Sequence, residues 1–132
     1  MTDNVNDNFF QISVKGLCFN DENKIMMLLD EDGYWEPFGG RIQKGENMID
    51  ALKRECLEET GLECKILDER PLIVYSAIDQ DGLPRVMVYY KVSVDSLDFK
   101  LSDECVDIKF FTKDEIKNLN VVSQIKSLAD FL

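Results

Sequence analysis

Apolar positions along the chain change period several times, and each change predicts an element. Phe9 to Phe19 mixes β-formers and alternates in part, which predicts a strand; Asn20-Asp21-Glu22-Asn23 then turns the chain. Lys24 to Leu29 is almost continuously apolar, the pattern of a strand buried on both faces. Glu31-Asp32-Gly33 turns into a short strand at Tyr34-Trp35-Glu36, and Gly39-Gly40 reads as a loop. From Asn47 to Thr60 the period becomes helical. Glu63 to Ile78 is strand material broken near Pro71, and Asp79-Gln80-Asp81-Gly82 forms a hairpin turn into a return strand at Arg85 to Val94. Asp79-x-Asp81-Gly82 has the start of a calcium loop, but the remaining ligands of that motif are missing. Asp95 to Glu104 is a polar loop, and Val106 to Thr112 a last strand. Lys113 to Leu119 and Val121 to Leu132 read as helices, the second with Val122, Ile125, Leu128 and Ala129 on one face. Strands, helix, strands, helix is the order of an α+β or α/β sandwich with a mixed sheet between helices. At 132 residues the chain is expected to be one domain, with a polar, mobile segment at residues 1–8.

The predicted helix over 47–60 carries an unusual load of acid. Asn47 with Asp50 is suited to cap its start, and Gly61 stands where a left-handed C-cap is expected. With Glu55 set at zero and about 100° per residue, Glu59 lies at roughly 40°, Glu58 at roughly 300°, and Met48, Leu52, Cys56 and Ile49 at roughly 20°, 60°, 100° and 120°. Glu59 therefore falls inside the apolar stripe and Glu55 at its edge, whereas a solvated acidic face lies opposite such a stripe. Glu58 and Glu59 also occupy the last turn, where the helix dipole favours cations, and Glu55 and Glu59 repel at i,i+4. Lys53 and Arg54 offset part of that cost, and a bound divalent cation would offset much more. Carboxylates are hard oxygen ligands suited to Mg²⁺, Mn²⁺ or Ca²⁺.

The same residues carry a family resemblance. Gly40, Glu46, Arg54, Glu55, Glu58, Glu59, Gly61 and Leu62 follow the signature of the Nudix hydrolases: glycine, five residues, glutamate, seven residues, then Arg-Glu-aliphatic-x-Glu-Glu-x-Gly-aliphatic. Cys56 takes the first aliphatic place, where it is small and apolar enough to pack. Pro37-Phe38-Gly39-Gly40 precedes the motif, where Leu-Pro-Gly-Gly is more usual. The resemblance implies an α/β/α sandwich of the Nudix type. It implies Mg²⁺-dependent (or Mn²⁺-dependent) hydrolysis of a nucleoside diphosphate linked to another moiety. The metal would be held by Glu55, Glu58, Glu59 and the Gly39 carbonyl. Arg54 would orient a carboxylate, and with Glu46 it would hold loop and helix together. An acid before the last strand often completes such sites or serves as base, which makes Glu104 a candidate, Asp103 its rival and Glu55 the alternative base. With little beyond the core domain, the chain resembles the nucleoside-triphosphate pyrophosphatases. The alternative from another class is a Nudix-fold module that binds a nucleotide or a protein without hydrolysing it; the intact glutamates disfavour it.

Charge and composition narrow the chemistry further. The net charge of −11 argues against nucleic-acid and anionic-membrane partners and leaves a small-molecule nucleotide as the expected one. It also means that bound metal has to supply much of the positive charge at a phosphate site. Arg41 and Lys44 are candidate phosphate contacts, and Trp35, Tyr34 and Phe38 candidates for stacking a nucleobase. The chain has no histidine, so proton transfer falls to carboxylates, Lys, Tyr, Cys or metal-bound water. Its four cysteines show no Cys-x-x-Cys spacing, consistent with reduced thiols in a cytoplasmic protein. Neither a signal peptide nor an apolar run long enough to span a bilayer is read, and a homodimer is left open.

Overall fold

The structure is a computed structural model and describes residues 8–132, so most of the amino-terminal segment expected to be mobile lies outside the described residues. Eight strands and one long helix make up most of it: β1 (Gln11–Cys18), β2 (Ile25–Asp30), β3 (Trp35–Glu36), β4 (Gly39–Arg41), α1 (Met48–Thr60), β5 (Cys64–Ile66), β6 (Ile73–Ile78), β7 (Pro84–Val94) and β8 (Cys105–Phe111). Two short helices, α2 (Lys113–Ile116) and α3 (Leu128–Phe131), follow.

The strands form two sheets. In the larger, β4 pairs antiparallel with β1, β1 parallel with β7, and β5 and β6 antiparallel with β7. The smaller is antiparallel, in the order β3-β2-β8, with an irregularity between Leu29 and Asp30. Strand alternation sorts the core into two layers. Val14, Cys18, Met26, Leu28, Val88, Tyr90 and Val92 face α1 and meet Ala51, Leu52 and Cys56. Leu17, Ile25, Met27, Met87 and Tyr89 face the other way and meet Ile116, Val121, Ile125 and Leu128. This is the mixed α+β sandwich that the pattern predicts. Both β1 and β2 carry buried side chains on each face, which the near-continuous apolar run of β2 requires.

Two elements differ from expectation. Gly39-Gly40 is not a loop but the start of strand β4, with Gly40 opposite Val14 and Gly39 opposite Lys15. Gly39 has φ +138°, and a Cβ there would collide with the Val14 carbonyl, so only glycine lets the chain come this close. The carboxy-terminal helix is not continuous either. A short 3₁₀ turn at Ser123–Ile125 precedes α3, because the Gln124 carbonyl, which would bond within a helix, instead accepts the Tyr75 hydroxyl at 2.8 Å. Ile125 and Leu128 are buried nonetheless, so the apolar face survives the break.

The hairpin at Asp79 forms as expected, and its carboxylate is fully used. Oδ1 accepts from the Asp81 and Leu83 N–H groups at 2.9 Å each, and Oδ2 from Arg85 Nε at 2.8 Å, while Arg85 Nη1 donates to Ser13 Oγ on β1 at 3.1 Å. The Leu83 N–H and then Arg85 hold the Asp79 carboxyl below the usual carboxylate range. Asp79→Ala leaves Arg85 half-buried without its partner and is expected to cost about 2 kcal/mol. Urea unfolding would read this as a lower midpoint at unchanged slope, and an unchanged midpoint would contradict it. No helix among the described residues is long and apolar enough to cross a membrane.

Candidate active site

The site is built on α1. Asn47 caps its start, Oδ1 accepting from the Asp50 N–H at 2.8 Å, and Gly61 ends it at φ 74° with its N–H donating to the Leu57 carbonyl. Ala51, Leu52, Cys56 and Thr60 are the buried stripe. Glu55 and Glu59 each precede a stripe residue and are half-buried, whereas Glu58 faces outward. Cys56 is a packing residue, fully buried.

Arg54 organises the acids. Its Nε and Nη2 donate to Glu46 Oε2 and Oε1 at 3.1 and 2.7 Å, a bidentate pair. Nη1 donates to Glu55 Oε1 at 3.0 Å and Glu58 Oε2 at 3.4 Å, and Nη2 also reaches the Arg41 carbonyl at 3.4 Å. Glu46 Oε1 accepts in turn from the Gln43 N–H at 2.8 Å. One guanidinium thus ties the loop after β4 to the face of α1 and aims Glu55. Arg54 beside it holds Glu46 below the usual carboxylate range.

Glu59 is the deepest acid. Its Oε1 accepts from the Gly39 N–H at 3.2 Å, tying the helix to β4. Burial pushes its carboxyl up to about 8; Lys15 opposes the shift, and neighbouring Glu55 adds to it. Gly40 sits just as close to Glu55, where a Cβ would lie 2.6 Å from Oε1.

Glu55, Glu58, Glu59 and Gly39 line one cleft of about 360 Å³ together with Glu104, Glu36, Asp30, Leu28, Leu29, Ser102 and Cys105. Glu104 is exposed on the cleft wall, while its rival Asp103 is exposed and does not line it. The proposed phosphate and base contacts lie elsewhere. Arg41 is exposed beside a second opening, which it shares with Glu55, Phe10 and Gln43, and Lys44 is exposed in the following turn. Phe38 is fully buried in the α1 core with its ring over Gly16 and has no face to offer a base. Trp35 packs edge-on against Phe111 at 4.9 Å, in the opposite core layer. The stacking expectation on Phe38 is corrected because its apolar surface is already used in the core; Trp35 is half-buried and does not line the cleft.

An all-oxygen donor set suits a hard divalent cation, and the half-buried acid pair at Glu55 and Glu59 is poorly stable without one. Among the described residues no three acidic or thiol side chains are gathered into a ready-made cage. The acids instead line a shared cleft.

Two residues of the cleft and one behind its wall escape a reading of the sequence. Asp30, at the start of an acidic turn, and Glu36 belong to no motif. Lys15 is a charged residue in a strand whose neighbours alternate only in part, so nothing marked it as buried; it is 4% exposed.

A family model for the NUDIX domain matches residues 9–131. The chain belongs to the Nudix family. Among curated relatives, the mouse oxidized purine nucleoside triphosphate hydrolase is 32% identical over 84 residues, 64% of this chain and 40% of that protein. The namesake from Danio rerio is 37% identical over 57 residues, 43% of this chain and 36% of that protein. The match therefore spans less than half the length of these relatives. Among solved structures, the MutT protein of Methanosarcina mazei superposes with a TM-score of 0.77 at 19% identity, covering 92% of this chain and 91% of that one. An Ap4A hydrolase from C. elegans gives 0.72 at 18% identity, covering 92% and 93%. These structures establish that the two-sheet architecture is the Nudix fold.

Proposed function

We propose that this Nudix chain is a metal-dependent pyrophosphohydrolase, cleaving a nucleoside diphosphate linked to another moiety, with a nucleoside triphosphate the first candidate substrate. The observation that carries the reading is the convergence of Glu55, Glu58, Glu59 and Gly39 on one cleft, with Glu55 aimed by Arg54 and Glu59 tied to Gly39. In this reading the three carboxylates and the Gly39 carbonyl hold Mg²⁺ or Mn²⁺. Bound metal would neutralise charge developing on the phosphoryl oxygens and lower the pKa of the attacking water.

The chain's own residues do the rest. Arg54 holds Glu55 in one rotamer and prevents α1 and the loop at Glu46 from separating. Glu55, with an oxygen not engaged by Arg54, and Glu104, across the cleft, are the two bases in position to take the proton from water. Arg41, beside Glu55 at the second opening, offers a cation to phosphate. Leu28 and Leu29 give the cleft an apolar wall. The names of the curated relatives make purine nucleoside triphosphates with an oxidised base the first to try.

A panel of nucleoside triphosphates, oxidised purine triphosphates, ADP-ribose, dinucleoside polyphosphates and nucleotide sugars, assayed with Mg²⁺ and with EDTA, tests the proposal. Metal-dependent release of a nucleoside monophosphate from at least one is expected. Tight nucleotide binding without turnover of any would replace the proposal with the binding-module reading.

A further inference from the structure

Lys15 is the only lysine or arginine buried among the described residues, and it stands behind the cleft wall rather than in it. Burying an ammonium is expensive unless it is paired and hydrogen-bonded. Here the partners are the Pro37 carbonyl at 3.2 Å, the Gly39 carbonyl at 3.4 Å and Glu36 Oε1 at 3.4 Å. Two of the three, Glu36 and Gly39, line the cleft.

The contact with Gly39 is the informative one. That residue sits at φ +138°, packed so closely on β1 that a Cβ would lie 2.9 Å from Lys15 Cδ. Its N–H is held by Glu59 and its carbonyl by Lys15, so both ends of the residue are fixed from opposite sides. An alkyl chain in the same place would fill the space but leave the Pro37 and Gly39 carbonyls and Glu36 without their donor.

We propose that Lys15 is a positioning residue of the active site: from behind the cleft its ammonium fixes the Gly39 and Pro37 carbonyls and the Glu36 carboxylate, and so presets the oxygen geometry that a divalent cation meets. The inference rests on the proposed function, since it takes Gly39 and Glu59 as cation ligands. Lys15 does not touch substrate, so its removal should weaken metal binding and leave nucleotide affinity unchanged.

The test uses K15M, which keeps chain length and removes the charge, and K15R, which keeps the charge. Binding of Mn²⁺ to nucleotide-free protein, followed by the electron paramagnetic resonance signal of unbound Mn²⁺, is the first readout. Outer-sphere partners of metal ligands are typically worth tenfold or more in affinity, so K15M should raise the Mn²⁺ dissociation constant by at least about 10-fold, and K15R by less than about 3-fold. In kinetics the metal concentration for half-maximal rate should move in parallel, with KM for the nucleotide and kcat at saturating metal changed by less than about 3-fold. If K15M does not fold, K15Q, which retains an N–H donor, should still weaken Mn²⁺ binding by about 3-fold or more. Unchanged or tighter Mn²⁺ binding in the folded neutral variant overturns the inference, since Lys15 would then only fill space or compete with the cation. Wild-type protein that neither binds Mn²⁺ nor hydrolyses any nucleotide overturns the proposed function and this inference together. Normal wild-type turnover with an indifferent K15M overturns the inference alone.

Discussion

Glu59→Gln is expected to lower kcat by about 10²-fold or more at saturating Mg²⁺, with the fold intact. Gln matches Glu in shape, and its amide oxygen can still accept the Gly39 N–H that Glu59 Oε1 accepts at 3.2 Å. The contact between α1 and β4 should therefore persist, and what disappears is one negative charge at the deepest point of the cleft. A 10²-fold loss corresponds to about 2.7 kcal/mol of transition-state stabilisation, in the range of removing one well-placed electrostatic partner. Glu46→Gln should act differently: it weakens the bidentate hold on Arg54 without touching the cleft, so a smaller loss is expected. Turnover by Glu59→Gln within a few-fold of wild type would remove Glu59 from the metal site. The three-acid assignment would fall with it.

The second large effect is on stability. Burial raises the Glu59 carboxyl to about 8 in the folded protein, against an ordinary value of 4.5. Between those values the folded state keeps a proton that the unfolded chain releases. The stability this proton provides is complete below pH 4.5 and is lost as pH rises through 8. Metal-free protein should accordingly lose Tm over that window relative to Glu59→Gln, which cannot titrate there. Mg²⁺ or Mn²⁺ competes with the same proton, so the stabilisation by metal should grow over the same range. At a hundred times its Kd, a ligand of the folded state adds about 2.7 kcal/mol, or several degrees in Tm for a domain of this size. Scanning calorimetry at constant ionic strength, with Na⁺ as control for general screening of a −11 chain, separates the specific effect from the general one. If Mg²⁺ does no more than Na⁺, the free protein has no metal site and the cation has to arrive with the nucleotide.

What the sequence disclosed and what it hid follow from how local each feature is. Helix α1 was legible from end to end because its cap at Asn47, its stripe and its stop at Gly61 are encoded within a few residues of one another. The Asp79 hairpin was legible for the same reason. Strand β4 was not, because a Gly-Gly pair has no strand preference of its own; β1 makes it a strand by pairing with it. The break before α3 was hidden because its cause, the Tyr75 hydroxyl, is far away in sequence. Phe38 looked available because an aromatic beside a motif has the same letters whether its ring faces solvent or core. Lys15 was the least visible, since its three partners come from the end of β3, the bend after it and the start of β4, and its burial exists only once the larger sheet is complete.

The pairing of β1 with β7 also bears on how the molecule comes into being. Gln11 pairs with Arg85 and Cys18 with Val92, so more than half of the chain lies between partners in the central pair of the sheet. On a ribosome, β1 leaves the exit tunnel early and waits, one long edge unpaired, until β7 follows. The acidic helix is made in the interval, before Val88, Tyr90 and Val92 arrive to complete the floor beneath it. The parallel pairing closes a long loop before its contacts repay the cost, which makes it a natural slow step. Nascent chains stopped short of residue 94 should therefore be protease-sensitive and recognised by chaperones, although every residue of the glutamate motif has already been synthesised.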